Sequence, residues 1–198
     1  MGLELNYIYG QSPISEEEKE GLLIKTISTR SELDEFEQQN IESAVEWTLK
    51  RKFGADRILT IDFIKELHGQ MFNNVWVWAG TFRKINKNLG VDKAQIPQQA
   101  SILIDDCKYW INNNTFLPDE IAVRFKYRLV SIHPFPNGNG RHSRLFADIL
   151  ISHIFSREVF SWGRRNLSNP DNLRISYIVA LHKADKGDFE SLIKFARS

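Results

Sequence analysis

Cysteine is almost absent. Cys107 is the single one in 198 residues, so no intrachain disulfide can staple the fold, as expected of a chain kept in a reducing cytoplasm. Six prolines and eleven glycines are too few for a protein built from tight turns, and no internal repeat or low-complexity tract is present. Net charge is lacking too: 26 basic against 25 acidic side chains leave +1. That balance sets up no broad field for nucleic acid or membranes, so any anion site must be local. No run approaches the roughly 20 apolar residues that span a bilayer. The first residues, MGLELNYIYGQSPISEEEKE, lack the basic-then-apolar layout of a secretion signal. These absences predict a soluble cytoplasmic protein of one domain with a short extra arm. Its 42% apolar residues supply a core.

Residues 1–28 are the most linker-like part, with Gly2, Gly10, Pro13 and Gly21 around the acidic Glu16–Glu18 cluster and a possible capping box from Ser15 to Glu18. From Thr29 the pattern turns helical. Thr29 and Glu32 form a capping box, and Leu33, Phe36, Ile41, Ala44, Val45 and Thr48 recur on one face up to Gly54. A further helix opens at Thr60. Between Trp76 and Pro97 the helical period fails, which predicts extended chain with turns. Lys84, Lys87 and Lys93 would keep such an edge soluble. Helices follow across Ala100–Ile111, from an Asp119 cap to Pro134, through Ile154, from about Asn169 to Lys186, and from Asp188 to the end. The architecture predicted is mainly α.

One stretch carries chemistry: His133-Pro134-Phe135-Pro136-Asn137-Gly138-Asn139-Gly140-Arg141-His142-Ser143-Arg144. It lies where a helix ends, a loop turns and a long helix begins. Gly138 and Gly140 allow backbone angles that turn N–H groups inward, and the following helix adds its positive end. Arg141 and Arg144 are three apart, so both forks reach one rim of that helix. Two guanidinium groups suit an oligophosphate better than a single carboxylate. His133, held before the stiff Pro134, is placed to take a proton from a nucleophile.

These residues resemble the signature of the Fic (filamentation) family, HPFx(D/E)GNGRxxR, at His133, Pro134, Phe135, Gly138, Asn139, Gly140, Arg141 and Arg144. Trp78-Ala79-Gly80-Thr81-Phe82-Arg83 resembles the start of that family's flap, and Tyr177 to Asp188 the part that closes around adenine. The resemblance implies a mainly α, Fic-type helical bundle with a short β-hairpin flap, residues 55–198 forming the catalytic core and residues 1–54 an arm. It implies transfer of AMP from ATP to a Ser, Thr or Tyr hydroxyl of a target protein docked along residues 79–97. His133 would be the base. Gly138, Asn139 and Gly140 would cradle the α- and β-phosphates, Arg141 would clamp them, and Arg144 would hold the γ-phosphate. Phe135 would fix the loop, and Tyr177 and Asp185 would touch adenine. Where the family has Asp or Glu for Mg²⁺, this chain has Asn137, an amide oxygen without charge. That departure keeps two alternatives open: a nucleotide- or partner-binding module without catalysis, and a transferase using another donor.

The arm contains ELDEFEQQNI, which is similar to the family's inhibitory helix, (S/T)xxxE(G/N). Glu37 is the candidate to pair with Arg144, although Leu33 and Gln38 depart from the pattern; Glu35, after Ser31, is the other candidate. The motif variant also resembles a bacterial subgroup, the mobile mystery B proteins, encoded beside a small helix-turn-helix protein, which implies a small antitoxin or helix-turn-helix partner. His68 and His153 read as hydrogen-bonded core or rim residues, His142 as exposed, Cys107 as packing, and Trp76 and Trp78 as core and flap anchors.

Overall fold

The computed structural model describes residues 16–163 and 170–198. The expected Ser15 cap, Gly2, Gly10 and Pro13, and the expected helix start at Asn169 lie outside those residues. In chain order the helices are α1 (Glu16–Glu20), α2 (Arg30–Leu49), α3 (Ala55–Ile58), α4 (Ile61–Phe72), α5 (Ile96–Asn112, entered through a 3-10 turn at Lys93–Gln95), α6 (Pro118–Ile132), α7 (Asn139–Ile149, widening into a π turn over Leu150–Ile154), α8 (Pro170–Ala184) and α9 (Glu190–Arg197).

Local chemistry accounts for most boundaries. Thr29 and Glu32 make the reciprocal capping box that opens α2. Thr60 caps α4 by accepting from the Phe63 N–H at 3.0 Å. Helix α5 starts at Ile96, earlier than Ala100, because Pro97 sits in its first turn, where a missing N–H costs nothing. Asp119 does not cap α6. Its carboxylate accepts from Arg197 Nε at 2.7 Å and Nη2 at 2.6 Å, a fork that ties α9 to α6.

Aromatic contacts join α4, α6 and α7 into the core. Phe125 stacks on Phe146 at 4.6 Å, and Phe63 meets Phe146 edge-on at 5.7 Å. All three are fully buried, each stabilising by about 1.5–3 kcal/mol. The buried stripe of α2 is Leu33, Glu37, Asn40, Ala44 and Thr48, whereas Phe36 is left exposed. Leu33, Ala44 and Thr48 of the expected face lie in that stripe and Ile41 packs beside it, while Glu37 and Asn40 take inner places that the apolar period left unassigned. Asn40 explains its own burial: its amide donates to the Gln70 carbonyl at 2.9 Å and accepts from the Asn74 N–H at 2.9 Å, closing the end of α4.

No β-hairpin forms over residues 79–97; among the described residues the sole bridge is Leu22 to Trp76. The reason lies in where the loop's backbone groups go. The Arg83 N–H donates to the Pro134 carbonyl at 2.9 Å and the Val91 N–H to the Ile132 carbonyl at 3.3 Å. Both arms are therefore bonded to the chain around His133 instead of to each other. The tip is tied by Asn86, which donates to Asp92 at 2.7 Å and accepts from the Lys93 N–H at 2.8 Å. Lys87 is not a solvated edge lysine either. It is buried in an ion pair with Glu18 of α1, whose carbonyl accepts from Trp78 Nε1 at 3.0 Å. Residues 16–23 thus dock on the flap segment.

Candidate active site

Helices α6 and α7 run into and out of the loop 133–138, and the loop's shape follows from three anchors. The Asn139 amide bonds both backbone groups of Phe135, accepting at 2.9 Å and donating at 2.8 Å. His68 of α4, fully buried, accepts from the Gly80 N–H at Nδ1 and meets the Asn137 carbonyl at Nε2, each at 3.0 Å. The carbonyl is only an acceptor, so the neutral Nε2–H tautomer is required. Phe135, also fully buried, stacks on that imidazole at 3.7 Å. Gly138 supplies the fourth constraint at φ +77°, where an added Cβ would lie 2.5 Å from the Phe72 ring. Gly138→Ala is expected to destabilise the fold by about 1–3 kcal/mol and to lower nucleotide affinity. Unchanged melting and binding would contradict that reading of the loop.

Gly140 has a different role from the one expected. It lies inside the first turn of α7 with nothing within 4 Å of a built Cβ. Its missing side chain leaves the helix N-terminus open instead of permitting a special angle. The Asn139 side chain is spent inside the loop, so only the backbone there is free to meet a ligand. The first N–H groups of α7 have no intrahelical acceptor, which makes an anion cradle.

His133 closes α6 in the left-handed region at φ 55°, ψ 58° and is buried. Burial lowers its pKa to about 4, helped by the Arg83 and Lys87 charges and opposed by a hydrogen bond to the Val130 backbone. The imidazole is therefore neutral at pH 7 and able to accept a proton. His133, the backbone of residues 137–140, Arg141, Arg144, Tyr177 and Asp185 all line one cavity of about 990 Å³, large enough for a nucleoside triphosphate. Tyr127 of α6, Tyr177, Ile178, Leu181 and His182 of α8, and Asp185 just after it line the same cavity. Tyr127 donates to Asp185, and burial pushes the phenol up to about 12, keeping it a donor.

The structure corrects two residue assignments. Glu37 pairs with Arg141, not Arg144: Oε2 lies 2.6 Å from Arg141 Nη1 in a close ionic approach without an aligned hydrogen bond, while Oε1 accepts from Trp76 Nε1 at 2.7 Å. The pair is deeply placed on the Glu37 side, which is 1% exposed, and open on the Arg141 side, at 30%. Glu35 is exposed. Asn137 Oδ1 accepts from the Gly138 N–H at 2.6 Å, which engages one of its two lone pairs. His142 is fully buried, with Nε2 against the Ile64 carbonyl at 3.0 Å and a pKa lowered by burial to about 3. Lys126 escaped the sequence reading altogether. It is fully buried against the Tyr177 hydroxyl, and burial, with Arg144 nearby, holds its amine well below the usual lysine range. Only its position on the apolar face of α6, beside Phe125 and one turn from Ala122, marked it. Cys107 is inert packing, its thiol pushed up to about 12 by burial.

The described residues do not fit a protein-anchored Mg²⁺. They contain no group of three His, Cys, Asp or Glu side chains that could hold a metal. The one motif oxygen at that position is neutral, with one lone pair already engaged.

Comparison with known proteins decides the relationship. The model of the Fic/DOC family matches residues 58–151, the stretch that runs from α4 through the loop and α7. The chain belongs to the Fic/DOC family. This Fic chain is 30% identical over 141 residues to the protein adenylyltransferase Fic of Drosophila mojavensis, an alignment covering 69% of this chain and 26% of that protein. It is equally 30% identical over 141 residues to protein adenylyltransferase fic-1 of Caenorhabditis elegans, with 69% and 26% covered. The chain thus spans about a quarter of the length of the curated relatives it matches. The solved Fic-1 (aa134–508) of C. elegans superposes with a TM-score of 0.64 at 24% identity, over 80% of this chain and 46% of that one. BepC of Bartonella tribocorum, solved with bound AMPPNP, gives 0.68 at 16% identity, over 92% and 97%. At these identities the two structures share the fold of the Fic chain described here. Among the described residues no helix is long and apolar enough to cross a membrane.

Proposed function

We propose that this Fic chain is a protein adenylyltransferase that moves AMP from ATP onto a Ser, Thr or Tyr hydroxyl of a target protein. The observation that carries the reading is the convergence of a neutral, buried imidazole, an open helix N-terminus and two arginines on one nucleotide-sized cavity. His133 takes the hydroxyl proton as the target oxygen attacks the α-phosphorus. The bond from that phosphorus to the oxygen bridging to the β-phosphate breaks, and pyrophosphate leaves. The N–H groups at the start of α7, with Arg141 and Arg144, balance the charge that shifts onto the phosphate oxygens, so the catalysis is positioning plus electrostatics. Tyr177 and Asp185 wall the base end, and the target segment lies along residues 79–97 near Leu89 and Gly90. The adenylyltransferase relatives and the AMPPNP-bound BepC support this donor and reaction. Mass spectrometry of a lysate incubated with the protein and ATP should find AMP on target hydroxyls; ATP binding with no modified peptide would favour the silent nucleotide-binding module that Asn137 motivates.

Two predictions come from the corrected contacts. Glu37→Gln keeps an acceptor for Trp76 but removes the charge that holds Arg141, so transfer and self-labelling should rise. An ion pair open to solvent on the Arg141 side is worth about 1 kcal/mol, which corresponds to roughly fivefold. Labelling equal to wild type would mean that Glu37 does not restrain the site. Asn137→Asp keeps the acceptor for the Gly138 N–H and restores the missing negative charge. It should lower the Mg²⁺ concentration at half-maximal transfer by about tenfold. An unchanged Mg²⁺ titration, or a slower enzyme, would show that the neutral amide is tuned to this site.

A further inference from the structure

We propose that Arg83 is a positioning residue: its buried guanidinium caps the end of α6 and fixes the left-handed backbone from which His133 projects into the cavity. The inference rests on His133 as the base of the proposed transfer, and it adds a residue and a device to that reading.

The geometry starts from an unmet need. A helix end leaves carbonyl groups without partners, and Pro134, directly after His133, has no N–H to offer in a closing turn. The carbonyls of Ile132, His133 and Pro134 are all received by one segment, residues 83–91. The Val91 N–H takes Ile132 at 3.3 Å and the Arg83 N–H takes Pro134 at 2.9 Å. Arg83 Nε takes His133 at 2.7 Å. The same guanidinium donates from Nη1 to the Ile85 carbonyl at 2.8 Å and from Nη2 to the Val91 carbonyl. Arg83 is 3% exposed, and three backbone carbonyls share its charge, with Asp92 and Glu18 acting on it through space. A planar fork with five donors suits that task, and a lysine does not reproduce it.

The second observation is steric. Gly90 stands at φ +94°, and a Cβ there would lie 2.5 Å from the His133 Cβ, 2.9 Å from the Ile132 carbonyl and 3.0 Å from Arg83 Nη2. The Arg83 fork and the bare Gly90 backbone therefore grip His133 from the loop side. A non-glycine residue in the left-handed region is held there by its surroundings, and Arg83 and Gly90 form the loop side of those surroundings. The charged groups facing His133 are Arg83 and Lys87, the latter paired with Glu18; Arg141 and Arg144 share its cavity. Arg83 thus also contributes to keeping the imidazole neutral.

The test uses the full chain with Arg83→Met, Arg83→Lys and Gly90→Ala, each checked for ATP affinity by calorimetry as a measure of intact folding. His133 backbone chemical shifts and its titration are read by NMR, and kcat and KM by labelled transfer. Arg83→Met is expected to lower kcat about 100-fold with the KM for ATP within about twofold. His133 shifts should leave the left-handed range, and its pKa should rise by about one unit. Arg83→Lys should keep the low pKa but recover little of the rate, and Gly90→Ala should displace the same His133 shifts. Full rescue by Arg83→Lys would overturn the clamp. So would unchanged His133 shifts in Arg83→Met with folding intact. The NMR readouts decide the proposal even if wild-type protein transfers no AMP, which would sink the transferase reading instead.

Discussion

Replacing His133 with alanine is expected to lower AMP transfer by about 10²–10⁴-fold while ATP binds with nearly wild-type affinity. The asymmetry follows from the site's geometry. The phosphates are met by the N-terminus of α7 and by Arg141 and Arg144, whereas the imidazole acts on the acceptor hydroxyl. His133 is also the C-terminal cap of α6, but the N–H that donates to the Leu129 carbonyl and the carbonyl that accepts from Arg83 belong to the backbone and survive the substitution. The pH profile adds a second signature. Because burial and two nearby cations lower the pKa to about 4, the acid limb of the transfer rate should fall near pH 4 and not near 6.5, as far down as the fold survives. Isothermal calorimetry with ATP and steady-state labelling separate the two effects. A variant with full transfer, or one that loses ATP binding in parallel, would contradict the assignment.

Acid is expected to destabilise this protein steeply below about pH 6. His68, His133 and His142 are all buried and neutral, with pKa values lowered well below 6.5, to about 4 and to about 3 respectively. In the unfolded chain each titrates near 6.5. Their contribution is intact above that value and is lost as pH falls toward the native pKa values, because the unfolded chain takes up protons that the native one refuses. One such proton is worth about 1.4 kcal/mol per pH unit, so three give about 4 kcal/mol per unit below pH 6. A stability of about 5–15 kcal/mol does not survive many units of that slope. The structure shows why the native state refuses them. A proton on His68 Nδ1 would face the Gly80 N–H, donor against donor. Urea denaturation followed by circular dichroism at pH 7, 6 and 5 measures the slope. A midpoint unchanged across that range would contradict the account.

Much of this molecule was legible in its sequence because local rules and the fold agree. The Thr29–Glu32 box, the Thr60 cap and the apolar period of α4 all place their helices correctly. His133, Arg141, Arg144, Tyr177 and Asp185, drawn from α7, α8 and the turns that end α6 and α8, do meet at one cavity. The errors fall where a polar residue takes a buried position for a reason the linear pattern does not carry. Glu37 and Asn40 take inner places on α2 beside Leu33, Ala44 and Thr48, which the apolar period did assign. His142 read as exposed and Lys126 drew no attention, because a charged or titratable residue in a helix is usually solvated. The flap read as strands because its helical period fails, yet its N–H groups cap α6 instead of pairing across the loop. Glu37 was found, but its partner was off by one turn, since Arg141 and Arg144 share a helix rim and only the packing of α2 against α4 selects between them.

The central claim is that this cavity transfers the α-phosphoryl end of ATP. Wild-type protein and His133→Ala, each incubated with lysate and ATP labelled separately at the α and γ positions, test it most directly. The account predicts protein-bound label from the α position alone, lost in His133→Ala. Label from the γ position, or α label that persists without His133, would contradict it.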